Sequence, residues 1–170
     1  RVELRPDAVA EPLPPVTLLF NQPRMSNATL EQQLALLNPQ TQWAEDPSTL
    51  LQLRGHFARL SSELPLQDKA TGLQVFTQDW RVLRKLTDAR ARLEQEYVVQ
   101  VSDEISAQRL KPITHAQTID GVGLPGCKAS MQNERHVRMV LKDPSPGVIE
   151  RLCASIDLDV LSMRRIRIGA

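Results

Sequence analysis

An α+β fold, with a mixed and mainly antiparallel sheet and flanking helices, is the class this sequence predicts. Three observations carry that reading. Short apolar or alternating β-favouring runs recur along the chain, as buried and half-buried strands require. Between them lie short segments whose apolar residues fall at helical spacing. The two kinds interleave irregularly instead of repeating as strand–helix units, and no internal repeat or low-complexity block occurs.

Taken in order, residues 1–15 hold four of the chain's 12 prolines and end in Pro14-Pro15, which reads as an extended lead-in. The start at Arg1, without a methionine, suggests that something ahead of it was trimmed. Residues 16–20 (VTLLF) form an apolar strand stopped by Asn21-Gln22-Pro23. Residues 29–37 space Leu30, Leu34 and Leu37 as a short helix, with Asn27 as its cap. Residues 40–48 read as loop, residues 50–60 fit strand or helix equally, and residues 61–71 are loop. Residues 72–77 alternate as a half-buried strand. Asp79 opens a helix presenting Val82, Leu83 and Leu86 on one face. Residues 94–101 (EQEYVVQV) are the clearest strand, and 102–110 suit a short helix. Residues 121–126 are a turn, and 135–141 a strand ended by Asp143-Pro144. A helix over 148–155 turns Ile149 and Leu152 inward, and residues 159–168 close the chain as one strand or a pair.

The 170 residues suit a single domain able to bury a core, and 41% hydrophobic with 24% charged residues argues against wholesale disorder. Twenty-one Lys and Arg against 20 Asp and Glu exclude a uniformly cationic surface, though not a local basic groove. Aromatics at 4% are too few for a protein working by base-stacking platforms along a single strand. The apolar runs are too short to span a membrane. Cys127 and Cys153 make no disulfide framework and fit a reducing compartment. No Cys or His pair has metal-ligand spacing, so no metal site is expected, and neither a Walker loop nor a nucleophile elbow is present. Gly121-Val-Gly-Leu-Pro-Gly126 matches GxGxxG, but its context lacks the strand before and helix after that a dinucleotide needs. The cluster Met163-Arg-Arg-Ile-Arg-Ile168 is more informative. Extended backbone puts Arg165 and Arg167 on one face and Arg164, Ile166 and Ile168 on the other. With Arg135, His136 and Arg138 these are candidates to line a cleft for phosphates, the alternative being a solvated strand edge.

Four segments in one order resemble the ribosomal-RNA pseudouridine synthases of the RsuA-type branch. Leu19-Phe-Asn-Gln-Pro-Arg24 is similar to their N-K-P-R opening. Residues 65–79 (PLQDKATGLQVFTQD) resemble R-L-D-x-x-[ST]-x-G-L-L-L-L-T-x-D. Residues 94–101 resemble E-K-E-Y-x-V-x-V. Arg135-His-Val-Arg138, followed by residues 161–169 (LSMRRIRIG), resembles R-Q-V-R and then L-x-R-x-R-I-G. The resemblance spans residues 16–170 and implies a synthase-type domain there, with residues 1–15 as the linker from an absent N-terminal RNA-binding domain. It also implies a cofactor-free isomerisation of uridine to pseudouridine in structured RNA, ribosomal RNA foremost. The protein is then expected to be a cytoplasmic monomer that engages neither DNA nor membrane.

That family breaks the uridine C1′–N1 bond, turns the base and rejoins it through C5. A flipped uridine stacks on an aromatic ring, and an aspartate held ionised by an arginine stands at C1′. By resemblance Tyr97 is the stacking residue and Arg138 the arginine, deep and paired with an acid. Arg135, Arg165 and Arg167 are the RNA-binding residues. The aspartate has two alignments. Anchoring on the strand from Gly72 puts Gln67 at its position, while anchoring on Asp68-x-x-Thr71 makes Asp68 the nucleophile. Pro65, Gln22, Met25 and Gln95 also depart from the family pattern. Two outcomes therefore stand open: an isomerase using Asp68, or a module of the same fold that binds RNA or a ribosome-assembly partner without chemistry. A purely structural interaction domain is a third.

Overall fold

The structure, a computed structural model, describes residues 7, 11–25, 28–88, 93–119 and 121–169. In chain order the elements are β1 (Thr17–Gln22), α1 (Leu30–Leu34), β2 (Thr71–Thr77), α2 (Trp80–Thr87), β3 (Glu94–Val101), α3 (Ala107–Leu110), β4 (Gln117–Ile119), β5 (Val122–Leu124), β6 (Lys128–Asn133), β7 (His136–Lys142), α4 (Val148–Ala154) and β8 (Val160–Ile168). Six strands form one sheet in the order β1-β2-β8-β3-β7-β6, and β4 and β5 form a separate hairpin. Within the six, only the β2–β8 pairing is parallel. The α+β class with a mixed, mainly antiparallel sheet is thus observed. Leu73, Val75, Tyr97, Val99 and Val137 share one sheet, as their alternation predicts.

One face of the sheet carries the main core. Tyr97, Val99 and Val101 of β3 join Val137, Met139 and Leu141 of β7 and Met163 of β8. Val148, Ile149, Leu152 and Cys153 of α4 complete the cluster with Ile105, Leu110 and Ile113. Each such aliphatic side chain, fully buried, stabilises the fold by about 1.5–3 kcal/mol before the entropy of ordering is subtracted. A second cluster unites Val16, Leu60 and Phe76, with Leu18, Phe20, Leu34 and Leu37 packed against it. There the Phe20 and Phe76 rings meet edge to face, with centroids 6.1 Å apart.

Several elements differ from the sequence reading. Helix α1 is capped by Thr29, whose hydroxyl accepts from the Gln32 amide, while Asn27 lies outside the described residues. Residues 50–60 form no strand and no α-helix: a single 3₁₀ helix at Arg54–Phe57 leads to a lone bridge between Ser61 and Thr77. The 121–126 glycine segment turns at Gly121, with φ of +78°, and continues as β5. The strand β6 follows it where a dinucleotide site needs a helix. β8 is one strand, not two.

The largest correction concerns β8. Glu96 pairs with Arg167, but its neighbour Tyr97 pairs with Arg165, so Ile166 is an extra residue in a β-bulge. The bulge breaks strict alternation and sends Arg165 and Arg167 to opposite faces. Gly72 makes the close β2–β8 approach possible. At φ of +100°, a Cβ there would stand 2.3 Å from the Arg165 carbonyl oxygen. Among the described residues no helix is long and apolar enough to cross a membrane.

Candidate active site

On the core face Tyr97 and Arg165, cross-strand neighbours on β3 and β8, are both fully buried. A guanidinium has five N–H donors, and here five acceptors meet it. Nε donates to the Leu73 carbonyl at 2.7 Å. Nη1 donates to the Pro65 carbonyl at 3.1 Å and Gln95 Oε1 at 2.9 Å, and Nη2 to the Leu64 carbonyl at 3.0 Å and Gln74 Oε1 at 2.5 Å. No carboxylate is in this set. Burial pulls the Arg165 pKa below its ordinary value, opposed by the adjacent Tyr97. The Tyr97 hydroxyl donates to Gln95 Oε1 at 3.1 Å, and burial pushes its pKa up.

Arg165 therefore clamps residues 64–65 of the loop that enters β2. Two residues on, Gln67 is buried and turned inward. Its Nε2 donates to the carbonyls of Pro144 and Ser145 at 3.2 and 3.1 Å, and its Oε1 accepts from the Gly147 amide at 2.9 Å. The nearby Gln67 backbone amide opposes that upward shift of Tyr97. The chain then turns outward, with the Ala70 amide donating to the Gln67 carbonyl and Lys69 at φ of +60°. Asp68 is exposed on that turn. Gln67 thus points inward and Asp68, the next residue, outward.

Sequence reasoning named Gln22 and Gln95 as departures from the family pattern but missed Gln74 and Glu150. Gln22, Gln74 and Gln95 are buried polar residues on the Tyr97 side of their strands, so with Gln67 the site is lined by amides. For Gln95 the signal was available, a polar residue at an inward position of an alternating strand, whereas the alternation of residues 72–77 points Gln74 the other way. Glu150 lies on α4. Its Oε2 is buried without a partner among the described residues, and its charge acts on Tyr97, opposing ionisation of the phenol.

Arg138 is not the partner of this centre, contrary to expectation. It sits opposite Val98 on β7 and so points to the other sheet face. There its Nε donates to Glu96 Oε1 at 2.7 Å and its Nη2 pairs with the same oxygen, while Arg167 Nε donates to Glu96 Oε2 at 2.8 Å. It is paired with an acid as expected, but it is half exposed. The expected single cleft of Arg135, Arg138, Arg165 and Arg167 does not form. Arg138 and Arg167 share the outer face, Arg135 lies exposed in the β6–β7 turn, and Arg165 spends all five donors in the interior. The Arg167 and Arg138 hydrogen bonds hold Glu96 below the usual carboxylate range. Among the described residues no group of three His, Cys, Asp or Glu side chains is placed to hold a metal.

No protein-family model matches the chain. An uncharacterized RNA pseudouridine synthase of Aquifex aeolicus is 27% identical over 125 residues, covering 72% of this chain and 52% of that protein. A chloroplastic protein of Arabidopsis thaliana, named for ribosomal large subunit pseudouridine synthase activity, is 27% identical over 105 residues, covering 58% of this chain and 26% of its own length. The chain thus spans about half of the first relative and a quarter of the second. A crystal structure of a pseudouridylate synthase superposes with a TM-score of 0.74 over 92% of this chain and 64% of its own, at 15% identity.

Proposed function

From a chain that is related to the pseudouridine synthases in sequence and carries their fold, we propose an RNA pseudouridine synthase that isomerises uridine in structured RNA, ribosomal RNA being the first substrate to test. The observation that carries this reading is Tyr97 beside Arg165 on the central strands, under the loop that leads to Gln67 and Asp68. The domain is residues 16–170, acting as a cytoplasmic monomer on RNA and not DNA.

In this reading a carboxylate attacks C1′, the C1′–N1 bond breaks, and uracil leaves as an anion. The turned base attacks C1′ through C5 and expels the carboxylate; the C5 proton departs and N1 takes one up. No electrons are exchanged, so no redox cofactor is required. Tyr97 supplies the ring for the base, and Asp68 is the carboxylate. Asp68 is one residue, roughly 3.3 Å of chain, from the inward position. The 67–70 turn must therefore rearrange, and Tyr97 must open, when RNA binds. The second reading, RNA binding without turnover, draws on Gln67 filling the inward position and on Arg165 donating, among the described residues, only to carbonyl and amide oxygens.

Tritium release from 5-³H-uridine ribosomal RNA decides between them. Release by the wild type that is lost in Asp68→Asn supports the synthase with Asp68 as nucleophile. Release surviving that substitution eliminates Asp68, and no release from any ribosomal RNA leaves the binding module.

A further inference from the structure

The sheet face opposite Tyr97 has a composition the proposed chemistry does not use. Register places Arg138, Val98 and Arg164 on one rung across β7, β3 and β8, and Val140, Glu96 and Arg167 on the next. Lys142 lies opposite Glu94, and Lys128 of β6 opposite Val140. Five cations therefore face two carboxylates, a net charge of +3 on one face of a chain whose total is +1.

Two features show that this charge is organised. Glu96, with a side chain only 6% exposed, binds the guanidiniums of β7 and β8 from either side of β3, fixing their positions. Lys128 holds Glu94 at 2.8 Å, and Arg167 Nη2 lies 3.6 Å from the same carboxylate, so the network reaches from β6 to β8. The two anions are thereby spent inward. The outer parts of Arg138 and Arg167, 50% and 33% exposed, remain toward solvent, and the exposed Arg164 guanidinium hydrogen-bonds only Asn21 Oδ1, at 3.3 Å, among the described residues. Rungs two residues apart stand about 6.8 Å from each other, and strands two apart about 9.6 Å, a grid of cations on a flat surface.

We propose that this face is a second RNA contact, a sequence-independent platform for backbone phosphates, separate from the Tyr97–Arg165 centre. The inference rests on the RNA reading above. Phosphate fits the grid because guanidiniums offer paired N–H donors to its oxygens. The rungs carry valines and no aromatic ring, so the platform lacks the stacking surfaces that base recognition uses. Because the sheet lies between the two sites, loss of the platform weakens binding without slowing bound substrate.

The test is RNA affinity against salt, with a fluorescein-labelled ribosomal RNA hairpin, for the wild type, Arg164→Gln, the double variant Arg138→Gln/Arg164→Gln, and Lys111→Gln as a charge removed elsewhere. Removing one phosphate-binding cation lowers the slope of log affinity against log salt by about 0.7–0.9, so the double variant drops by about 1.4–1.8. At 0.1 M salt that is a weakening on the order of tens of fold, with Lys111→Gln unchanged. Arg164→Gln removes no ion pair among the described residues, so it reads the effect even where the double variant folds poorly. An unchanged slope in both variants, or displacement of the hairpin by poly-glutamate at equal charge in wild type but not in the variants, overturns the platform. Tritium release separates the two readings. A lowered slope without any turnover keeps the platform and removes the synthase. Turnover with an unchanged slope does the reverse.

Discussion

Replacing Arg165 by lysine tests whether this buried cation holds the site together. The guanidinium presents five donors to five acceptors: three backbone carbonyls, at Leu64, Pro65 and Leu73, and the side-chain oxygens of Gln74 and Gln95. Lysine has three donors on one nitrogen, so at least two of those acceptors go without their partner. Hydrogen bonds to a charged group are worth about 1.5–3 kcal/mol each, which puts the loss at about 3–6 kcal/mol. A domain of this size has a total stability of about 5–15 kcal/mol, so Arg165→Lys is expected to be severely destabilised but measurable. Urea unfolding followed by far-UV circular dichroism reads it as a lowered midpoint at unchanged slope. Gln95→Leu should then cost less in the Arg165→Lys background than in the wild type, since part of its partner is already gone. A loss below about 1 kcal/mol for Arg165→Lys, or strict additivity with Gln95→Leu, would refute the saturated clamp.

Other consequences are as specific. Gln67→Glu turns a carboxylate toward the Pro144 and Ser145 carbonyls that now accept from the amide, so at pH 7 the variant should lose about 2–4 kcal/mol by chemical denaturation. The folded state then favours the protonated acid, its pKa is raised, and the deficit should shrink as pH falls toward about 4; a deficit independent of pH would contradict this. Glu96 behaves oppositely: its folded pKa is depressed by Arg167 and Arg138, so its stabilisation is present above the unfolded value near 4.5 and is lost as pH falls through the folded one. Glu96→Gln should therefore flatten the acid limb of a stability–pH curve, and equal limbs would refute the assignment. Burial pushes the thiols of Cys127 and Cys153 up to about 11 and about 12, so neither should react with a disulfide reagent at pH 8 until urea unfolds the chain.

Local pattern was enough wherever one element meets one core. The alternation of β3, the Asp79 cap of α2 and the inward face of α4 are all properties of neighbouring residues, and they stand where the sequence puts them; in β2 the register against β8 instead turns polar Gln74 inward and buries residues 74–77 on both faces. The edge strand β6 escaped notice because an exposed edge carries polar residues and a lysine, which leave no hydrophobic period to read.

What the sequence by itself determined is the α+β class and the strands of the main sheet apart from β6. Only the tertiary structure decided which arginine stands beside Tyr97. Both β7 and β8 offer one, and the choice follows from pairing register: Val98 meets Arg138, whereas Tyr97 meets Arg165. The bulge at Ile166, which separates Arg165 from Arg167, arises from the fit of β8 against β3 and leaves no mark in β8 alone. Gln67 likewise turns inward because Pro144, Ser145 and Gly147, distant in sequence, present two acceptors and a donor that an amide satisfies and a carboxylate does not.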